Sequence, residues 1–99
     1  MTPFTEKVIK IIQEIPEGKV MTYGQIAGLA GNPRASRQVA RILHSMSRKH
    51  RLPWHRVINA KGKIAVQDEE TFLEQKTNLI IEGVEVGEKG IINLEKYQV

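Results

Sequence analysis

The sequence predicts a mainly α-helical domain with a small β wing, of the winged helix-turn-helix type. Three observations indicate this fold class. Apolar residues recur at helical spacing in several segments, two short helices flank a Gly-containing turn, and β-branched residues surround a glycine turn after them. The chain has 99 residues, of which 40% are hydrophobic, so we expect a single domain over residues 1–99 with its core in about 4–83.

The first two predicted helices begin at threonine caps. A helix over residues 3–15 follows Thr2 as N-cap, with proline at its first position, and it carries an apolar stripe of Phe4, Val8, Ile11, Ile12 and Ile15. A short helix over residues 23–30 follows Thr22 as N-cap. Gln25 stands at the spacing of a capping box, which supports the start of this helix.

A third helix, over residues 35–46, completes the helix-turn-helix. Its predicted apolar face consists of Val39, Ile42, Leu43 and Met46. After a basic loop, residues 57–66 predict two short strands around Gly62, which would form the wing hairpin.

The rest of the chain predicts one more helix and a small hairpin. A helix over residues 68–82 ends at Gly83 as its C-cap, and its expected inward residues are Phe72, Leu73, Leu79 and Ile80. Residues 84–86 and 91–94 are expected to pair as a hairpin. The tail from Glu95 is polar, so we expect it to be loosely held.

Charge is distributed unevenly along the chain. Residues 18–67 contain ten Lys or Arg and no Asp or Glu, a charge of +10, whereas the flanking residues carry −6, which leaves +4 overall. A basic block of this size indicates a polyanionic partner, with nucleic acid first, over a merely solvated basic surface. Within it, Arg34, Arg37, Arg41 and Arg48 recur at spacings of three, four and seven, which predicts one helix face that can neutralise phosphates.

Several classes of protein are excluded or disfavoured by composition. The chain has no cysteine, which excludes disulfides, thiolate metal sites and thiol nucleophiles. We expect no metal and no cofactor. No apolar run is long enough to span a membrane and no secretory signal is visible, so we expect a cytoplasmic protein, close to the nucleoid in a bacterium.

Trp54 and His55 stand next to each other in the basic, acid-free stretch, between a helix and the predicted hairpin. A lone histidine or tryptophan is usually structural, but this placement favours the lip of a pocket. Glu82, at the end of the last predicted helix, is a candidate for the carboxylate that orients His55.

Four segments in a fixed order carry a family resemblance. Residues 15–27 (IPEGKVMTYGQIA), 32–39 (NPRASRQV) and 53–58 (PWHRVI), followed by Glu82-Gly83, resemble the O6-alkylguanine-DNA alkyltransferases over residues 4 to about 83. The family's nucleophilic cysteine lies in Pro-Cys-His-Arg-Val, and Trp54 occupies that position here. The chain also begins directly at the first helix of the motif. It is therefore similar to the alkyltransferase-like branch, which lacks the cysteine.

The resemblance implies roles for individual residues. Tyr23 would act on the phosphate beside the target nucleotide and help rotate it outward; the alternative is a tyrosine packed under the turn. Arg37 would enter the base stack and fill the gap left by the flipped base; the alternative is a phosphate contact. The implied lesion pocket comprises Trp54, His55, Val57, Tyr23, Glu82, Gln67 and Met46. The last two, Gln67 and Met46, stand where the family has Tyr and Asn.

The implied contacts with the DNA backbone come from Thr22, Gln25, Arg34, Ala35, Ser36, Arg41, Arg48, Lys49 and Arg51. The implied function is a non-enzymatic sensor that binds O6-alkylguanine in duplex DNA through the minor groove, flips the base, blocks direct alkyl transfer and flags the lesion for nucleotide excision repair proteins. We expect a monomer. Two alternatives are a helix-turn-helix transcriptional regulator and an enzyme acting on a flipped base, such as a glycosylase using Asp68 or His55.

Overall fold

Five helices and two very short strands form the fold in a computed structural model that describes all of residues 1–99. The mainly helical class with a small β component is confirmed. A single 3-10 turn, Trp54–Arg56, precedes the second strand. In chain order the elements are α1 (Pro3–Gln13), β1 (Met21–Thr22), α2 (Tyr23–Leu29), α3 (Ser36–Met46), β2 (Val57–Ile58), α4 (Glu69–Ile81) and α5 (Leu94–Tyr97).

Both predicted N-caps are confirmed. Thr2 accepts a hydrogen bond from the backbone N–H of Thr5 at 3.2 Å at the start of α1. At α2, the Thr22 hydroxyl accepts from the Gln25 N–H at 3.1 Å, and the Gln25 side-chain oxygen accepts from the Thr22 N–H at 3.3 Å. These reciprocal bonds satisfy backbone donors that the helix itself leaves free.

The two strands form a wall between two apolar cores. β1 and β2 pair in parallel, with Met21 opposite Val57 and Thr22 opposite Ile58. Because successive strand residues point to opposite faces, Met21 and Val57 pack with α1, α2 and α3, whereas Ile58 packs with Val20 and Leu79 in the second core.

The predicted wing hairpin is wrong. Residues 57–58 pair with β1, and the following loop closes through the Asn59 N–H bonded to the Lys63 carbonyl at 3.0 Å. The returning segment pairs instead with residues 90–92, where the Ile92 N–H donates to the Gly62 carbonyl at 2.7 Å. Gly62 has a φ of +74°, and a Cβ there would lie 2.8 Å from a backbone oxygen, so this close pairing requires glycine.

The predicted terminal hairpin and the loose tail are also wrong. Residues 84–86 form no strand, and only a turn closes between the Gly87 N–H and the Ile91 carbonyl at 2.9 Å. Beyond it the tail docks on Val20, the residue just before β1. The Val20 N–H donates to the Tyr97 carbonyl at 2.9 Å, and the Val20 carbonyl accepts from the Val99 N–H at 3.0 Å. This pairing anchors the C-terminus, where the Tyr97 ring is buried.

The predicted inward face of α4 is confirmed for Phe72 and Leu79, which pack in the second core, and is wrong for Leu73 and Ile80. Leu79 is fully buried, but Leu73 and Ile80 are 52% and 50% exposed. Gln75 takes an inward position and is only 2% exposed. Hydrophobicity alone favours leucine or isoleucine at a buried position. Gln75 is buried instead because its side-chain amide donates to the backbone carbonyls of His55 and Val57, which lie beneath the helix. None of the helices has both the length and the apolar character that crossing a membrane would require.

Candidate nucleic-acid interface

A pocket of about 330 Å³ opens between α2, α3, the Trp54–Arg56 turn and α4. Its six apolar or aromatic lining residues are Tyr23, Ala40, Leu43, Trp54, Val57 and Val66. Four polar residues, His44, Ser47, Thr71 and Gln75, complete the lining. A mostly apolar cavity with a few convergent polar groups is typical of a site for a planar organic group such as a base.

Tyr23 and Trp54 provide the aromatic walls of the pocket. Tyr23 is the first residue of α2, directly after β1, and it is partly buried against the first core. Burial raises the pKa of its phenol, so Tyr23 stays a neutral hydroxyl. The Trp54 ring stands edge-on to the His55 ring, with 6.4 Å between centroids and an interplanar angle of 89°.

Gln75 holds the floor of the pocket in place. Its side-chain amide donates to the backbone carbonyl of His55 at 3.1 Å and to that of Val57 at 3.0 Å. This nitrogen therefore joins α4 to the turn that carries Trp54. Two buried carbonyls would lose their donor without it, which is costly in a low-dielectric interior.

Glu82 is the centre of a hydrogen-bonded cluster behind the pocket. Its carboxylate lies 2.6 Å from His55 Nε2 and 2.7 Å from an Arg56 terminal nitrogen, and it accepts from the Gly18 N–H at 3.0 Å. Arg56 also donates to the Ile15 carbonyl at 2.8 Å. The Glu82 side chain is only 9% exposed. The cluster therefore ties α4, the Trp54–Arg56 turn and the end of the α1 segment together.

The pKa of Glu82 reflects these contacts. Burial by itself would raise the pKa of the carboxyl, but hydrogen bonds from Arg56, Gly18 and His55, with the charge of His55, outweigh it and lower the pKa to about 2. Glu82 is thus ionised at neutral pH. Because an ionised carboxylate only accepts hydrogen bonds, His55 Nε2 is the donor in this contact.

The structure brings some of the predicted pocket residues together at this cavity and places the others elsewhere. Tyr23, Trp54 and Val57 line the cavity as predicted, but His55, Glu82, Gln67 and Met46 do not. His55 and Glu82 face each other behind the Trp54–Arg56 turn, because Gly18 and Arg56 offer them partners there. Gln67 is exposed before α4, and Met46 packs on the first core.

Three arginines extend from one side of the α3 segment into solvent. Arg34, Arg37 and Arg41 are all exposed, and none of them forms an ion pair or donates a side-chain hydrogen bond within the protein. Arg37 and Arg41, four residues apart on α3, share one face, and Arg34 lies in the turn just before the helix. α3 also starts without a side-chain cap, at Ala35, so its first N–H groups stay available to an anion beside half-buried Ser36.

Three residues of the predicted DNA-backbone contacts have side chains that are buried or bonded within the protein, namely Thr22, Ala35 and Gln25. Thr22 and Ala35 are buried, and the Thr22 hydroxyl is occupied in its capping box. The Gln25 side chain accepts from Gln98 at 2.8 Å and donates to the Val99 carbonyl at 2.8 Å. The Thr22 and Gln25 side chains are held by the protein because they satisfy backbone groups at the start of α2 and at the C-terminus. Arg48, Lys49 and Arg51, in contrast, are exposed.

None of the four polar lining residues was predicted from the sequence. Ser47 and Thr71 have no sequence signal that separates them from ordinary surface residues. His44 had a signal, since it lies seven residues after Arg37 on the same side of α3. Gln75 had one too, because it interrupts the apolar spacing between Phe72 and Leu79.

Comparison with known proteins places this geometry in a family. The family model described as 6-O-methylguanine DNA methyltransferase, DNA binding domain, matches residues 3–84. A DNA base-flipping protein of Vibrio parahaemolyticus is 43% identical over 98 residues, covering 99% of this chain and 97% of that protein. Alkyltransferase-like protein 1 of Schizosaccharomyces pombe is 39% identical over 102 residues, covering 98% of this chain and 94% of that protein. The chain belongs to the alkyltransferase-like proteins.

The fold of this alkyltransferase-like protein also matches a DNA complex. The crystal structure of the S. pombe protein with damaged DNA containing O6-carboxymethylguanine superposes with a TM-score of 0.89 at 38% identity, covering 100% of this chain and 96% of that one. The resemblance found in the sequence is therefore confirmed. Trp54, which lines the pocket, lies within the residues 3–84 that the family model matches.

Proposed function

We propose that this protein is a DNA damage sensor that binds O6-alkylguanine in duplex DNA, rotates the modified base into the pocket and leaves the alkyl group in place. The observation that carries the proposal is the pairing of an aromatic pocket, walled by Tyr23 and Trp54, with the exposed and unpaired arginines of the α3 segment. The pocket binds the extruded base, and the arginines bind the DNA around it.

The side chains around Trp54 support binding without alkyl transfer. The indole N–H is a donor with no basic lone pair, so it is no nucleophile at neutral pH. His55 Nε2 is already engaged by Glu82 at 2.6 Å, on the far side of the turn from the pocket lining. The Trp54 ring therefore serves as an apolar wall for the alkyl group, and occupation of the lesion by this protein blocks direct repair.

Extrusion of a base needs a group to replace it in the stack. Flipping costs a few kcal/mol, and less at a damaged pair. Arg37, exposed on α3, fills the gap with its planar guanidinium, while the Tyr23 hydroxyl acts on the neighbouring phosphate. The uncapped start of α3 and Arg34 hold the backbone, with α3 in the minor groove, where little sequence is read.

A binding titration tests the proposal. Duplexes that differ only in guanine or O6-methylguanine are titrated into the protein while the fluorescence of Trp54, the single tryptophan, is followed. We expect tighter binding of the lesion duplex and a change in Trp54 emission with that duplex alone, because the base stacks in its pocket. Equal affinity and equal emission for both duplexes would contradict the proposal and favour a transcriptional regulator.

The same titration separates the enzymatic alternative. Asp68 is the N-cap of α4, where it accepts from the Thr71 N–H at 2.9 Å and from the Thr71 hydroxyl at 2.8 Å. These bonds lower the pKa of Asp68, as expected for a structural cap. We expect the oligonucleotide to be recovered unchanged. Release of a base, lost in Asp68→Asn or His55→Ala, would instead identify a glycosylase.

A sensor that leaves the lesion in place needs a repair system to act after it. We propose that the complex forms in the cytoplasm as a monomer on DNA and is passed to nucleotide excision repair. Light scattering of the DNA complex measures the stoichiometry, with one protein per lesion expected. Reconstituted excision on an O6-methylguanine duplex measures the second part, and no stimulation by the protein would contradict it.

A further inference from the structure

A second, more open cleft of about 460 Å³ adjoins the lesion pocket. Ser47 and Trp54 line both cavities, so the Trp54 ring separates the place of the base from this cleft. Its other walls are Arg48, Arg51 and Leu52. An anionic group attached to a nucleotide in the first cavity would meet two cations on crossing this shared wall.

The turn that forms the cleft follows α3 and has a defined geometry. The Leu52 N–H donates to the Ser47 carbonyl at 2.9 Å, and the Arg51 N–H donates to the Arg48 carbonyl at 3.4 Å. These two bonds make the pattern of a Schellman motif, with Arg51 at the position that adopts a left-handed backbone. Its φ is +50°, and it is the only non-glycine residue with a positive φ.

Glycine is the favoured residue at such a position, because a side chain strains the left-handed backbone. The chain has an arginine there, and that side chain lines the cleft. Neither Arg51 nor Arg48 forms an ion pair or donates a side-chain hydrogen bond within the protein. Strain retained at a residue with an unpaired charge, beside a ligand cavity, indicates a ligand for that charge.

We propose that this cleft is an oxyanion subsite of the lesion pocket, in which Arg48 and Arg51 bind a carboxylate or phosphate group carried by the extruded nucleotide. The inference rests on the proposed base extrusion, and it adds a second site of contact with the extruded nucleotide, beside the pocket that holds the base. Two sources have this chemistry: an acidic alkyl group that passes the edge of Trp54, and the phosphate that flanks the flipped nucleotide. Guanidinium groups suit both, because they pair with two oxygens at once.

The test compares three cleft and control variants on four duplexes. Arg51→Gly and Arg48→Gln each remove one charge from the cleft. Lys49→Gln removes one charge from the same exposed loop without touching the cleft, so it measures the general loss of attraction to DNA. The duplexes carry guanine, O6-methylguanine, O6-propylguanine or O6-carboxymethylguanine at one position, and dissociation constants are measured at fixed salt.

We expect Arg51→Gly and Arg48→Gln to weaken lesion binding about fivefold to tenfold more than they weaken binding to the guanine duplex. If the anion is the flanking phosphate, the three lesions lose affinity equally. If it is the adduct, O6-carboxymethylguanine loses more than its near-isosteric propyl analogue. A loss that is equal on lesion and guanine duplexes, as expected for Lys49→Gln, or no loss, overturns the subsite.

Folding is controlled within the same set. Because glycine relieves the left-handed backbone at residue 51, Arg51→Gly keeps or raises the melting temperature, and lost binding is not due to unfolding. The wild-type protein separates the two proposals. If the wild-type protein prefers lesion duplexes while the variants lose affinity equally for all duplexes, only the subsite proposal is wrong. If the wild-type protein shows no preference, the proposed base extrusion itself is wrong.

Discussion

Two groups of arginines from one acid-free stretch have opposite surroundings. On α3, Arg37 and Arg41 are exposed and have no partner within the protein. Arg56, from the same stretch, is 16% exposed and donates to both oxygens of Glu82 and to the Ile15 carbonyl. The side-chain donors of Arg37 and Arg41 are therefore free to bind a ligand. Those of Arg56 are engaged in hydrogen bonds that stabilise the fold.

This difference shows that net charge alone does not define a binding surface. The stretch of residues 18–67 has no acid of its own, but the tertiary fold brings Glu82 from the end of α4 to Arg56 and His55. The arginines that stay unpaired lie on α3 and in the turns on either side of it. Variants on each side of this division should affect different properties, folding on one side and DNA binding on the other.

The largest effect is expected for Glu82→Ala, which leaves His55 and Arg56 without their acceptor. Because Glu82 is only 9% exposed, we expect a loss of about 3 kcal/mol in the free energy of unfolding and a fall of roughly 10–20 °C in Tm. Urea unfolding and thermal melts measure it. Glu85→Gln, at the exposed Glu85–Lys96 pair, is the control and should cost under about 1 kcal/mol. Equal losses in both variants would remove the distinction between the two groups.

Arg37→Ala should come next and should act on binding. We expect roughly tenfold or greater loss of affinity for an O6-methylguanine duplex and only about twofold to threefold for the guanine duplex, because the side chain acts in the flipped state. Tm should stay within a few degrees of wild type, since the side chain has no partner in the protein. A large drop in Tm would place Arg37 in the structural group with Arg56.

Acid should weaken the Glu82 cluster in a defined window. The pKa of Glu82 is lowered from 4.5 to about 2, so its stabilisation is complete above pH 4.5 and is lost as pH falls from 4.5 towards 2. After allowance for partial solvent screening, we expect a loss of about 1–2 kcal/mol. The measurement is urea unfolding at pH 7, 4 and 3 for wild type and Glu82→Gln. Identical pH profiles would show that another carboxyl controls this transition.

The smallest effect is expected for Arg41→Ala, one turn from Arg37 on the same helix. A phosphate contact should weaken lesion and guanine duplexes alike, by about threefold, and reduce the slope of log affinity against log salt by about one. Binding isotherms at four salt concentrations measure both. If Arg41→Ala were to discriminate between the duplexes, stacking would not be confined to Arg37.

Local sequence signals predicted local structure well. The caps at Thr2 and Thr22 and the helical face of α3 are confirmed, because each depends on neighbours within one or two turns. The wing failed for the opposite reason. Val57 and Ile58 are of types that favour strands, and they do form one. Their partner strand, however, lies thirty-six residues earlier in the chain, at Met21 and Thr22, and not in the segment that follows.

The candidate site divides in the same way. Tyr23, Trp54 and Val57 were predicted in the pocket, and the structure places them there. Gln75 was not predicted there, because it is needed to donate to two backbone carbonyls of a turn distant in sequence. The residue pattern along α4 does not reveal those acceptors. Whether a polar side chain can be buried depends on its hydrogen-bond partners, and in the case of Gln75 those partners lie in another structural element.

The sequence by itself determined helices α1 to α4, the charge of residues 18–67, the absence of cysteine and the family. These properties depend on residue type and short spacing. Tertiary structure alone decided which cations remain free, where the C-terminus pairs and that Trp54 stands between two cavities. The physical reason is that hydrogen bonds and ion pairs form between groups adjacent in space, and chain distance does not limit them once folding has closed the loops.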